Sequence, residues 1–146
     1  MVDMNTKAMG NIGEAKFLCK CVELGIPIYS SFGDNERSDF IIDYKNQLLR
    51  IQVKTSERST SEGSVVFDLT SSTMHRRNGI KHKYSLDEVD YFACYNLLTD
   101  ELYLIKNQGE MSSITVRWIS PRNGQKNYNK AEDLIIEKVL SIEPGK

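Results

Sequence analysis

Two short apolar runs in the first half of the chain are separated by only a few polar residues. Phe40 to Tyr44 and Leu48 to Val53 are rich in Ile, Leu, Val and Phe, and Lys45 and Asn46 lie between them. Asparagine tolerates the left-handed backbone conformation that a tight turn requires. We therefore predict a β-hairpin here, with a two-residue turn that fixes which residues face each other.

The register of this hairpin follows from the turn. If Tyr44 faces Gln47, the pairing extends to Asp39 opposite Gln52, and apolar side chains occupy one face of the strands. The other face carries Asp39, Asp43, Arg50, Gln52 and Lys54. Directly opposed residues have Cβ atoms about 4.5–5.5 Å apart. Asp39 and Gln52 are therefore close enough to share one divalent cation, with Lys54 beside it.

A helix is predicted before the hairpin. Asn5 to Leu24 has apolar residues at helical spacing, and Gly25 is a typical helix end. The predicted buried stripe is Ala8, Ile12, Ala15, Cys19 and Val22. Gly10 and Gly13 each cost about 1 kcal/mol relative to alanine inside a helix, so we expect another segment to approach the backbone closely there. Glu14 borders the stripe; taken alone, it is an ordinary surface carboxylate.

Short apolar runs elsewhere predict five more strands, at Ile26 to Ser30, Ser64 to Leu69, Val89 to Asn96, Glu101 to Lys106 and Ser113 to Ile119. The third and fourth of these form a second hairpin. Ala131 to Leu140 predicts a late helix, whereas Ser71 to Tyr84 and Ser120 to Asn129 predict long loops. This order of elements indicates an α/β (α+β) fold whose central sheet packs on the first helix.

Composition limits the class of protein. A chain of 146 residues with 40% hydrophobic residues suits a single domain, residues 1–146, with a real core. No apolar run approaches the roughly 20 residues of a membrane helix, and the N-terminus lacks a signal-peptide pattern. Three cysteines do not make a disulfide framework. We therefore expect a cytoplasmic protein that does not enter the membrane.

The net charge of −1 argues against a nucleic-acid binder, since such proteins commonly carry a basic excess. The positive charges, however, are concentrated in two stretches without acidic residues, Ser71 to Leu86 and Met111 to Ala131. Local basic patches can bind phosphates on a molecule that is near neutral overall. The candidates are Arg76, Arg77, Lys81 and Lys83 in the first stretch and Arg117, Arg122 and Lys126 in the second. For either patch alone, a solvated surface is an equally good explanation.

The polar face of the first hairpin has the groups that phosphodiester hydrolysis needs. Mg²⁺ prefers oxygen ligands and usually keeps several waters. Asp39 offers a carboxylate, Gln52 a side-chain oxygen and Val53 a backbone carbonyl. Glu14 can add a second carboxylate from the helix. Lys54 can orient the attacking water or stabilise developing negative charge.

Four blocks of the sequence carry a resemblance to a known family. They are Gly10–Glu14, Gly33–Asp39, Leu49–Thr55 and Val89–Tyr95. In this order they resemble the PD-(D/E)XK nuclease superfamily, and most closely its group I intron-encoded homing endonucleases. The similarity extends over about Gly10 to Lys106, and it is specific because several separate blocks agree.

The resemblance implies a core with a central mixed β-sheet flanked by helices, and Mg²⁺-dependent cleavage of double-stranded DNA with one or two divalent ions per site. It places Glu14, Asp39, Gln52 and Lys54 on the motif positions. Ser38 replaces the proline of the family name and Gln52 replaces its acid, and both departures occur in the homing branch. The core would span about residues 8–106. Residues 107–146 would serve DNA contact and assembly of a homo-oligomer, either a dimer or a tetramer.

Three functions stay open at this point. The first is a site-specific homing endonuclease that cuts both strands of an intron insertion site. The second is a Holliday-junction resolvase or restriction-type nuclease, which would use the same core on different DNA. The third is a binding module that keeps the fold without catalysis. The near-neutral charge favours this third function, whereas the complete set of Glu14, Asp39, Gln52 and Lys54 argues against it.

Overall fold

A computed structural model describes residues 5–33, 38–72 and 81–142 of the chain. Its helices and strands are, in chain order, α1 (Thr6–Glu23), β1 (Ile28–Ser30), β2 (Phe40–Tyr44), β3 (Gln47–Ser56), β4 (Ser64–Asp68), β5 (Thr70–Ser72), β6 (Lys81–Lys83), β7 (Tyr91–Asn96), β8 (Glu101–Lys106), β9 (Ser113–Arg117), β10 (Asn129–Lys130), α2 (Ala131–Leu134) and α3 (Ile136–Val139). None of the helices in these three ranges has the length and apolar character needed to cross a membrane.

Five strands form the central sheet, in the spatial order β1-β2-β3-β7-β8. β3 and β7 run parallel, whereas the other neighbours are antiparallel. The sheet is therefore mixed, and helices pack against it, as predicted. A smaller sheet has the order β10-β9-β4, and β5 pairs with β6.

The first hairpin has the predicted register from Phe40 to Tyr44, whereas the predicted pair of Asp39 with Gln52 lies beyond the last observed pair. Phe40 pairs with Ile51, and Tyr44 pairs with Gln47 next to the turn. Lys45 and Asn46 both have positive φ values, 49° and 65°. Two residues in this left-handed region make a turn whose twist matches that of the strands. The turn predicted from the local sequence therefore accounts for the observed register.

Two apolar cores lie on opposite faces of the central sheet. The first lies between α1 and the sheet, and it contains Phe17, Cys21, Phe40, Ile42, Ile51 and Leu104. The second joins β7 and β8 to the smaller sheet, and it contains Phe67, Phe92, Tyr103, Ile105 and Val116. On the polar face of β3, Arg50, Gln52 and Lys54 are only partly buried. This part of the face therefore keeps some access to solvent.

α1 spans the predicted residues, with Asn5 at its N-cap accepting a hydrogen bond from the Ala8 N–H. The predicted buried stripe, in contrast, was right for Ile12, which packs against the first core, but wrong for Ala15, Cys19 and Val22. Gly13, Phe17 and Cys21 are buried, whereas the predicted Cys19 and Val22 are exposed. Phe17 has far more apolar surface to bury than Ala15 or Cys19, and its ring packs against that of Phe40 at 5.7 Å. The helix is therefore turned to bury Phe17.

The predicted late helix is broken in two. Ile135 has an extended backbone, with φ −57° and ψ 135°, between α2 and α3, and it forms a β-bridge with Tyr103 of β8. A β-branched residue suits this extended conformation. The predicted loop Ser71 to Tyr84 was also wrong at its ends, because β5 and β6 pair there.

Candidate active site

Asp39 lies immediately before β2 and contacts the backbone of β3. Its N–H donates to the carbonyl of Ile51 at 2.8 Å, and its Oδ2 accepts a hydrogen bond from the N–H of Val53 at 2.9 Å. These two bonds fix the carboxylate beside the segment that carries Gln52. Among the described residues, the second oxygen of Asp39 accepts no hydrogen bond, so it can bind a cation.

The carbonyl of Val53 points toward the same place. Alternate residues of a strand direct their backbone groups to opposite edges. Arg50 directs its carbonyl to the N–H of Asp90, on the β7 side, whereas Ile51 and Val53 bond to Asp39 on the β2 side. The Val53 carbonyl therefore faces the β2 side. It lies beyond Phe40, the first residue of β2, which pairs with Ile51.

α1 brings a second carboxylate to this region. A Cβ added to Gly13 would clash with the Thr55 side chain and touch that of Val53, whereas a Cβ on Gly10 would meet nothing within 4 Å. The close approach expected for the helix is therefore confirmed at Gly13 and wrong at Gly10. The residue after Gly13 is Glu14, so the contact with β3 holds this carboxylate near the end of the strand pair.

The two carboxylates affect each other. Burial raises the pKa of Glu14, and the negative charge of Asp39 raises it further. Burial also raises the pKa of Asp39, while the Val53 N–H and the charge of Lys54 act to lower it. Two like charges held together in a partly buried place are costly. A bound cation would relieve this repulsion.

Lys54 follows Gln52 by two residues on the polar face of β3. Its ammonium donates to the backbone carbonyl of Thr70 at 2.6 Å. The same nitrogen lies 5.2 Å from the ring centroid of Tyr84. Sequence reasoning did not find either partner, because a backbone carbonyl leaves no signal in the residue type and Tyr84 lies 30 positions away in a stretch predicted as loop.

These donors fit Mg²⁺ better than a soft metal. The described part of the chain contains no group of three or more His, Cys, Asp and Glu side chains arranged for a metal. The donors predicted from the sequence, on Glu14, Asp39, Gln52 and Val53, are instead two carboxylates, an amide oxygen and a backbone carbonyl. Mg²⁺ accepts such a mixed set of oxygens because it retains waters in the remaining positions.

The first basic stretch is only partly described. Lys81 and Lys83 lie on β6 and are exposed, while Arg76 and Arg77 fall outside the described residues. Lys81 forms an ion pair with Asp68 at 2.8 Å. The hairpin β5–β6 therefore carries two lysines beside the segment that contacts Lys54.

Both arginines of the second basic stretch make contacts within the protein. Arg117 donates to Ser61 Oγ at 2.7 Å and to the carbonyls of Glu62 and Ile119. Arg122 forms an exposed ion pair with Glu62 at 3.5 Å. Lys126 is exposed. The Arg117 guanidinium thus connects two loops, which sequence reasoning did not foresee.

Comparisons with known proteins find a family model and solved structures that match this chain. The family model described as PD-(D/E)XK endonuclease matches residues 4–135. The solved structure of a bacterial homing endonuclease, I-Ssp6803I, superposes with a TM-score of 0.69, at 23% sequence identity, over 85% of this chain and 84% of that one. At this identity the likeness shows the fold. No curated protein matches the sequence.

Proposed function

Because the chain belongs to the PD-(D/E)XK endonuclease family, we propose that it is a Mg²⁺-dependent, site-specific endonuclease that cuts double-stranded DNA as an intron homing enzyme. One observation carries the proposal. The carboxylate of Asp39 is held by the Val53 N–H, and it lies within the electrostatic influence of both Glu14 and Lys54. This supports a common site for Glu14, Asp39 and Lys54, and Gln52 directly precedes Val53 on β3.

Each side chain has a role in the proposed hydrolysis. A water oxygen forms a bond to phosphorus and gives up a proton to solvent, while the bond to the leaving oxygen breaks and that oxygen takes up a proton. Asp39, Glu14, the Gln52 side chain and the Val53 carbonyl would hold the metal. When bound, Mg²⁺ polarises the phosphoryl oxygen and lowers the pKa of its water. The Lys54 ammonium orients the attacking water or stabilises the negative charge that develops in the transition state.

The proposal assigns DNA contact to basic residues of the two stretches identified in the sequence. Lys81 and Lys83 lie on the hairpin next to Lys54, and Arg76 and Arg77 belong to the same stretch of sequence. Arg117, Arg122 and Lys126 are secondary candidates, since Arg117 already holds a loop in place. Arginine and lysine bind phosphates and can also read guanine in the major groove.

A homo-oligomer suits the cutting of both strands. The two strands of a duplex run in opposite directions, so two copies related by two-fold symmetry present one site to each strand. One solved structure with a similar fold is a homing endonuclease, and this supports homing over the other nuclease roles.

The direct test is to incubate purified protein with Mg²⁺ and plasmids that carry candidate intronless insertion sites. We expect double-strand cleavage at one site, and loss of cleavage in EDTA. If the protein cuts none of these plasmids but cuts four-way junctions regardless of sequence, the homing role is wrong and junction resolution takes its place. If the wild type cuts no DNA, the enzymatic proposal fails.

A further inference from the structure

Lys54 has a long, flexible stem, yet its ammonium is held at two points. The carbonyl of Thr70 accepts its hydrogen bond at 2.6 Å, and the ring of Tyr84 lies 5.2 Å from the nitrogen. Thr70 begins β5 and Tyr84 directly follows β6. Both contacts therefore come from the hairpin β5–β6, taken here with Tyr84 that follows it, and this segment contributes none of the proposed metal donors.

We propose that this hairpin positions Lys54 for the reaction, with Tyr84 acting directly on the lysine and Asp68 acting through Thr70. The inference rests on the proposed function, because it assumes that Lys54 takes part in hydrolysis. Neither Tyr84 nor Asp68 need touch the substrate, so they are positioning residues.

The Tyr84 ring is a rigid support. It is buried, with 4% of its surface exposed, and it packs edge-on against Phe92 at 5.6 Å and 75°. Phe92 lies on β7 and pairs in register with Gln52 of β3. The ring is thus fixed to the same sheet that carries Lys54. A cation near an aromatic ring is attracted to its negative face, so the ring favours one arrangement of the lysine stem.

Asp68 holds Thr70, whose carbonyl is the second contact of Lys54. Its Oδ1 accepts hydrogen bonds from the N–H of Thr70 at 2.9 Å and from the Thr70 hydroxyl, and its Oδ2 accepts one from Lys81 Nζ at 2.8 Å. An aspartate that bonds to the backbone two residues ahead stabilises a turn. Asp68 therefore sets the orientation of Thr70 and also ties β5 to β6.

Two pairs of variants test the proposal. Tyr84→Leu removes the ring, whereas Tyr84→Phe keeps it. Asp68→Ala removes the Thr70 contacts, whereas Asp133→Ala removes a comparable exposed ion pair, to Lys138 at 2.8 Å, from the late helical segment. Because Tyr84 is buried, circular dichroism checks that each variant is folded. Asp68 is partly exposed, with 49% of its side chain accessible, so Asp68→Ala keeps the test valid if Tyr84→Leu unfolds.

The first measurement needs no DNA. In protein labelled with ¹³C-lysine, we expect the ε-methylene signal of Lys54, assigned with Lys54→Arg, to be shifted upfield by the Tyr84 ring. The shift should disappear in Tyr84→Leu, decrease in Asp68→Ala, and persist in Tyr84→Phe and Asp133→Ala. A wild-type Lys54 signal at the position of exposed lysines, or one unaffected by Asp68→Ala, would overturn the proposal.

The second measurement is single-turnover cleavage of the plasmid site that the wild type cuts. A misplacement of about 1 Å can cost roughly 100-fold in rate, so we expect a 10- to 100-fold slower reaction in Tyr84→Leu and Asp68→Ala with unchanged DNA affinity. Tyr84→Phe and Asp133→Ala should keep the wild-type rate. Wild-type rates in folded Tyr84→Leu and Asp68→Ala would reject the positioning role. If the wild type cuts no DNA, the proposed function fails, and the lysine signal alone decides whether the hairpin positions Lys54.

Discussion

The two glycines in the middle of α1 differ in what surrounds them. An added methyl group would clash with Thr55 at Gly13 but would meet nothing at Gly10. We predict that Gly13→Ala destabilises the protein by about 1–3 kcal/mol, because the helix must move from β3, and that it slows cleavage by displacing Glu14. Gly10→Ala should instead stabilise by about 0.5–1 kcal/mol. Urea unfolding measures both. Equal free energies of unfolding for Gly13→Ala and Gly10→Ala would show that Gly13 is not in close contact with Thr55.

Glu14 is predicted to reduce stability at neutral pH. Burial and Asp39 raise its pKa in the folded state, so its contribution to stability is greatest below its unfolded pKa and is lost as the pH rises through the folded pKa. We expect Glu14→Gln to stabilise the protein at pH 7 by about 0.5–1 kcal/mol while abolishing cleavage. The gain should shrink toward pH 4. Glu132→Gln, at an exposed position, serves as the control in the same thermal unfolding series, and a gain that is independent of pH would contradict the account.

Some of the site could be predicted from residue order, and some could not. The turn at Lys45 and Asn46 determines which residues of β2 and β3 face each other. Counting residues back from this turn therefore predicted that Asp39 lies near the part of β3 that follows Ile51. The contact between Lys54 and Thr70 could not be foreseen, because any residue has a backbone carbonyl. Tertiary packing alone determines which carbonyl the lysine reaches.

At the scale of elements, one ion pair connects β3 to the segment before β7. Asp90 accepts hydrogen bonds from the Arg50 backbone N–H at 2.7 Å and from its guanidinium at 3.1 and 3.2 Å. Partial burial acts to raise the pKa of Asp90, but the bonds from Arg50 lower it overall. This pair therefore contributes stability above the unfolded pKa of Asp90, and the contribution is lost as the pH falls through the folded pKa.

We predict that Asp90→Asn costs about 1–2 kcal/mol of stability at pH 7, since a charge-assisted, partly buried contact is weakened. The difference from wild type should narrow near pH 3. Urea unfolding at the two pH values measures it, with Asp133→Asn as the control for a more exposed pair. A difference that does not change with pH would mean that the charge of Asp90 is unimportant.

The sequence predicted both hairpins well and the helices less well. Hairpins are local, and their turns leave a signal within a few residues. The buried face of α1 depends instead on which side chain has the most surface to lose, and Phe17 outweighed the smaller residues of the expected stripe. The break at Ile135 depends on a bridge to Tyr103, and the parallel pairing of β3 with β7 joins residues about 40 positions apart. Neither the bridge nor the parallel pairing leaves a pattern among neighbouring residues of the sequence.

At the scale of the whole molecule, DNA binding must come from local charge, because the net charge is only −1. If Lys83 contacts a phosphate, Lys83→Ala should weaken binding to the cleaved site and reduce the slope of log K against log salt by about 1. Lys138→Ala, at an exposed lysine of α3 that pairs with Asp133, should leave the slope unchanged. Fluorescence anisotropy at several salt concentrations measures it. Equal slopes for wild type and Lys83→Ala would exclude this contact.

The central claim is that Asp39 and its neighbours form a metal-dependent DNA-cleaving site. The most direct test is Mg²⁺-dependent cleavage of the target plasmid by Asp39→Asn and Asp43→Asn, since both residues are partly buried aspartates at or next to β2. We predict that Asp43→Asn cleaves like the wild type and that EDTA stops cleavage by the wild type and by Asp43→Asn. Asp39→Asn should cleave at least about 100-fold more slowly. Wild-type cleavage by Asp39→Asn, or cleavage that persists in EDTA, would contradict the account.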